Sequence, residues 1–297
     1  MRMNKKTFNI SFIFILTMIL LACGTTARMD NSWRRNLNGC KILKDDVLIY
    51  PVFVEEKRGA KWLQEEKKAF LDSLKVSTNW ILARSKAYNV NLNFIIEAHP
   101  NAIAVGLPGK NIAGAYNLAS TNLGVAKINK HYDNAAKKLA RDIKRSKKAL
   151  PPYISRIKTK DQVIAKLRNN FQVESVVLLF IHKPEKNNNV FFSLNTLSNK
   201  TIEYGVNSFN KPSLMAFQIL ELFGATSFNF DVKKKRKEKI MKHIDDNFPN
   251  DIMAKPFQTL SKSTTGAVTD YLIGWTPKID PVHQILMEGG KVKILKK

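Results

Sequence analysis

Few residues in this chain stand where chemistry could be done, and their types limit what it would be. The stretch 212–225 reads Pro-Ser-Leu-Met-Ala-Phe-Gln-Ile-Leu-Glu-Leu-Phe-Gly-Ala, with Pro212 able to open a helix and Gly224 able to close it. Glu221 could give one carboxylate to a metal, but one ligand does not hold zinc against water. Gln218 carries an amide with no useful basicity near neutral pH, so it cannot serve as a general base. The five histidines are His99, His131, His182, His243 and His283, and none shares a helical turn with another. His243 with Asp245 and Asp246 is the nearest cluster, and a solvated helix end accounts for it. Two cysteines, Cys23 and Cys40, exclude a disulfide scaffold and a Cys-rich zinc module. Gly106-Leu-Pro-Gly109-Lys110-Asn111 falls short of a phosphate loop, with Ala104 and Asn111 where Gly and Ser or Thr are needed, and reads as a turn.

The opening of the chain reads as an address. Arg2, Lys5 and Lys6 precede an apolar run from Phe8 to Ala22, and Ala22 is a small residue before a cut site, the pattern of a signal peptide. The run is shorter than the roughly 20 apolar residues a spanning helix needs. Leu20-Leu21-Ala22-Cys23-Gly24 resembles the lipobox of bacterial lipoproteins. That resemblance implies a signal peptide over 1–22, cleavage before Cys23 and diacylation of the Cys23 thiol. Two acyl chains give stable anchoring. Gly24 in place of Asp implies the outer membrane where the cell has two. Losing Arg2, Lys5 and Lys6 lowers the formal charge from +25 by three, to +22. Cys40 is then the only free thiol, expected in the core. Residues 23–40 read as a lipidated tether and 41–297 as a single domain.

The stretch 212–225 itself resembles the zinc helix of the metzincin proteases, H-E-x-x-H-x-x-G-x-x-H or, in some bacterial secreted members, Asp at the last position. In that pattern two histidines one helical turn apart hold zinc and the Glu activates its water. Aligned on Gly224, the first histidine falls at Phe217, the Glu at Gln218, the second histidine at Glu221 and the third ligand at Ser227. All four positions depart from the family: Phe217 cannot ligate a metal, and Ser227 is a poor zinc ligand. Phe-Pro-Asn-Asp-Ile-Met253 resembles the tight turn ending in Met that lies beneath the metal in this class. The resemblance covers about 212–277, and it implies a metzincin-like mixed sheet without a working zinc site, in which Phe217 packs where the metal would sit.

The elements that would position these residues follow from patterning. Val47 to Val54 reads as a strand, with Pro51 pointing to an edge or a bulge. Residues 60–88 read as a long helix with a stripe of Leu63, Phe70, Leu74, Ile81 and Tyr88. Val90 to Ile96 reads as a strand, 99–126 as loops with short strands, and 131–149 and 159–170 as helices. Ser175 to Ile181 is a continuous apolar run, the mark of a central strand buried on both faces. Val190 to Leu194 and Thr201 to Val206 read as paired strands, and Ser263 to Ile273 as a last helix. This order predicts an α/β or α+β fold.

With 44% hydrophobic residues in 297, the chain has the apolar mass of a folded protein. Its 49 Lys and Arg against 24 Asp and Glu imply anionic surroundings. Lys233, Lys234, Lys235, Arg236 and Lys237 form the densest run and are expected to face anionic lipid headgroups, lipopolysaccharide or acidic wall polymers. Export argues against nucleic acid as a partner. The sequence reading is thus a membrane-anchored lipoprotein with a catalytically inactive protease-like domain that binds a protein or peptide, with an immunity or regulatory role towards an active relative among the options. No cofactor is expected. Two alternatives stand beside it: a zinc peptidase with rearranged ligands, and an envelope structural lipoprotein of unrelated fold.

Overall fold

In the computed structural model, residues 39–40, 42–56, 60–105, 122–144, 160–183, 190–194, 203–228, 234–283 and 286 are described. The signal segment, Cys23, most of the tether, Lys233 and the 106–111 turn lie outside them.

Two strands form the centre of a mixed sheet. β1 (Asp45–Glu56) runs parallel to β4 (Ser175–His182), with Val47 opposite Ser175 and Val54 opposite His182. Every residue of β4 is buried, as its unbroken apolar run predicts. On the other side of β1, β2 (Leu92–Ile96) pairs with its first half and β3 (Ile103–Val105) with its end, both in parallel. Beyond β4 come β6 (Tyr204–Asn207), parallel, and β5 (Phe191–Leu194), an antiparallel edge strand. The order is β2-β1-β4-β6-β5 with β3 beside β1. The expected α/β class is the one observed.

Pro51 is not at an edge. It lies inside the central strand, opposite Leu179 of β4. The missing N–H does no harm because Pro51 faces the gap between β2 and β3, where its carbonyl takes the His99 N–H at 2.9 Å. A residue's N–H and C=O point to the same side of a strand, so the absent donor falls where β1 has no ladder partner.

Helices cover both faces. α1 (Gln64–Ser85) and α4 (Pro212–Leu222) lie over the side of the sheet carrying Ile49, Phe53, Leu179 and Ile181. α2 (Asn122–Lys144) and α3 (Lys160–Phe171) cover Leu48, Tyr50, Val52, Leu178 and Phe180 on the other. In α1, Phe70, Leu74 and Ile81 are buried as expected, but Leu63 is 59% exposed. Leu63 precedes the helix, and its N–H donates to Glu66 Oε2 at 2.8 Å. Ser77 replaces it in the interface, with its Oγ 2.8 Å from the Pro212 carbonyl at the start of α4. α2 begins nine residues earlier than its expected start. Gly124 makes 122–126 look like loop, yet one helical glycine costs only about 1 kcal/mol. Tyr132, Ala135, Ala136 and Leu139 then form its buried face at helical spacing.

Gly39 and Cys40 pack against the sheet. The Gly39 carbonyl accepts from Val176 N–H at 2.8 Å, and Cys40 is 3% exposed, with its Sγ 3.4 Å from the Val176 carbonyl. The start and end of the domain are joined by Trp275, whose indole N–H donates to the Leu43 carbonyl at 2.7 Å. Among the described residues no helix is long and apolar enough to cross a membrane.

Candidate functional site

α4 opens with Pro212 in its first turn and ends at a glycine cap. Gly224 has φ +109°, where a side chain is strained, and a Cβ there would stand 3.1 Å from the Leu272 carbonyl. Its N–H donates to the Glu221 carbonyl at 3.0 Å, and Ala225 N–H donates to Leu220 at 3.0 Å, the paired bonds of a Schellman cap. The cap turns the chain towards Phe228, whose N–H donates to the Met253 carbonyl at 3.0 Å. The exit of the helix and the Asp-Ile-Met turn are therefore hydrogen-bonded neighbours, although 25 residues of sequence separate Phe228 from Met253.

The four aligned positions have defined surroundings. Phe217 is 5% exposed, and its ring lies 5.9 Å from that of Phe191 on β5. It belongs to the same apolar cluster as Met253, which is fully buried. Gln218 is fully buried, and its amide nitrogen donates to the carbonyls of Phe192 at 3.0 Å and Val206 at 3.1 Å. Gln218 thus acts as a polar bracket between α4 and the sheet edge. Gly205 on β6 makes room for it: a Cβ there would stand 2.6 Å from Leu179 Cδ2 and 2.8 Å from Gln218 Cδ. Glu221 looks towards Ser193 on β5, and burial pushes its carboxyl up to about 7, with the Ser193 hydroxyl opposing the shift. Ser227 lies past the cap, half-buried, between Ala225 and Phe228.

The histidines do not converge on Glu221. His99 lies between Tyr50 Oη at 3.0 Å and Asp142 Oδ2 at 3.1 Å. His182 Nε2 meets Tyr132 Oη at 2.7 Å, and His131 packs edge-on against the same tyrosine. His243 and His283 meet each other beside Phe248. Among the described residues no group of three or more His, Cys, Asp or Glu could hold a metal ion. Phe217 brings no metal-binding atom, and Gln218 carries an amide with no useful basicity.

The turn that ends in Met253 is held by Asp251, which the sequence did not single out. It is fully buried; its Oδ1 accepts from Met253 N–H at 2.7 Å, and its Oδ2 from Gly266 N–H at 2.7 Å and Thr269 Oγ at 3.0 Å. Gly266 and Thr269 belong to the start of α6 (Ala267–Leu272). That helix is shorter than the expected 263–273, because Thr264 pairs with Asp251 as an extended bridge before it. The Asp251-to-Met253 bond is an Asx turn, and an Asp two residues before the turn's Met is the local signal that points to it. The basic run opens α5 (Lys234–Asn247), where Ile240 and Ile244 face the core and Lys237, Lys239 and Lys242 are exposed. The side chains of Lys234, Lys235 and Arg236 lie outside the described residues.

Glu221 gives a testable pH signature. Its native pKa of about 7 is raised above the ordinary value of 4.5, so its stabilising contribution is complete below about 4.5 and is lost as pH rises through 7. His182, held down to about 3 by burial, works in the opposite sense. The comparison is therefore made between variants at each pH. Glu221→Gln, neutral throughout, should gain stability relative to the wild type between pH 5 and pH 8 in urea titrations. An unchanged gap would place the carboxyl in water.

Compared with models of protein families the chain matches none, and no curated protein matches it.

Proposed function

We propose that the chain is an exported lipoprotein, anchored through Cys23, whose domain is a metzincin-like fold that has lost its zinc site and binds a protein or peptide partner without cutting it. The observation that supports this most is the fate of the two key positions on α4. Phe217 fills an apolar cluster with Phe191 and Met253, and Gln218 spends its amide protons on the carbonyls of Phe192 and Val206. Both are used for packing, and neither can bind zinc or activate water. The glycine cap at Gly224 and its link to the Met253 turn through Phe228 support the metzincin-like frame. Regulation or neutralisation of an active relative is one form such binding would take. The basic run Lys233 to Lys237 would orient the anchored domain on anionic headgroups or acidic wall polymers, at about 1 kcal/mol for each residue near the surface.

Two measurements test this reading. Labelled palmitate should enter the wild-type chain in its host and not Cys23→Ser; equal labelling would remove the anchor. Unfolded casein incubated with the full chain and added zinc should stay intact. Cleavage that disappears in Glu221→Ala would instead establish a peptidase with rearranged ligands.

A further inference from the structure

His243 and His283 are 40 residues apart and sit on different elements, yet their ring nitrogens meet. His243 lies on α5, one residue before buried Ile244, and is half-buried. His283 ends the short 3-10 turn Pro281–His283. His243 Nε2 stands 3.0 Å from His283 Nδ1. The rings cross at 64°, and both rest on Phe248, at 4.7 Å for His283 and 6.2 Å for His243. Around them the backbone is fixed. Asn247 Nδ2 donates to the His243 carbonyl at 2.8 Å, and Val282 N–H donates to Asp280 Oδ1 at 2.9 Å, which sets the turn.

Two imidazole nitrogens at this distance can share one proton or bind one metal ion. On a tetrahedral zinc with Zn–N of about 2.0–2.1 Å, two nitrogens stand about 3.3 Å apart. The observed 3.0 Å is close to that spacing, and a small rotation of either half-buried ring closes the difference. Imidazole suits zinc, copper and nickel, and disfavours magnesium and calcium. Asp280 sits beside His283 and adds negative charge on that side.

We propose that His243 Nε2 and His283 Nδ1 form a two-histidine site for a divalent transition-metal ion of the zinc class, with water completing its coordination. The ion would sit where the shared proton sits, that proton moving to the far nitrogen of its own ring as the ring changes tautomer, and would fasten the turn Pro281–His283 to α5. The site is separate from α4 and supplies no catalytic centre. It was hidden in the sequence because neither histidine has a partner within a helical turn.

The test uses the full chain in detergent, stripped with chelator, dialysed and titrated with zinc chloride, with magnesium chloride as the comparison. One saturable zinc site, a raised thermal midpoint and no response to magnesium are expected. His243→Ala and His283→Ala should each weaken zinc binding at least tenfold, the double variant should do no worse than either single, and Glu221→Ala should leave it unchanged. Zinc bound equally well by both single variants would overturn the proposal. So would a zinc lost in Glu221→Ala and kept in His243→Ala, which would also contradict the inactive-protease reading. Loss in the histidine variants alone leaves that reading intact.

Discussion

Asp251→Ala should cost about 3 kcal/mol or more, close to the whole stability of a marginal domain. The reason is the number of donors one carboxylate serves. Met253 N–H, Gly266 N–H and Thr269 Oγ all give to it within a fully buried site. Alanine leaves them without a partner, and each stranded buried donor costs about 1–3 kcal/mol before relaxation. Phe248 crowds the Gly266 backbone from the other side; a Cβ at Gly266 would stand 2.4 Å from Phe248 Cδ1. Asp251→Asn should cost less but still destabilise, since its amide must face one donor. Urea unfolding of the two variants checks the order. A loss below about 1 kcal/mol for alanine would mean that the Met turn stands without this anchor.

Phe217→Ala should cost about 3–5 kcal/mol, the range for emptying a buried aromatic position. In the inactive-protease reading proposed above Phe217 takes the place of a ligand, so this variant separates a packed core from an open cleft. The ring contacts Phe191 on β5 and shares its cluster with Met253 and the inner faces of α1 and α4. Removing it opens a void between the edge strand and the helix, and the Gln218 bracket keeps that void from collapsing. A loss under about 1 kcal/mol in denaturant titration would show that the side chain lines an open surface.

The sequence carried the fold where a pattern is local. The unbroken run Ser175 to Ile181 announces a central strand, and Pro212 with Gly224 brackets α4 to within two residues. Pro51 misled, because its tolerance depends on a gap between β2 and β3 that only the tertiary pairing creates. Leu63 misled because its place in the stripe matched helical spacing while the helix begins one residue later. The candidate site was legible only as four positions aligned on Gly224, and what those side chains do was not. Gln218 needs Gly205 from a different strand, and nothing near Gly205 in sequence says so. Asp251 and the His243–His283 pair depend on contacts across 15 and 40 residues, beyond the reach of helical or strand periodicity.

An inactive metzincin-like domain carries no metal on α4. Metal content of the His243→Ala/His283→Ala double variant, purified without tags or chelators and dialysed, tests it most directly, because the histidine pair is then removed as a source of zinc. Less than about a tenth of a zinc per chain is expected, since the Phe217, Gln218, Glu221 and Ser227 set cannot supply three ligands. A content of about one zinc per chain that survives dialysis and falls away in a further Glu221→Ala change would contradict it, and would place a working metal centre on α4.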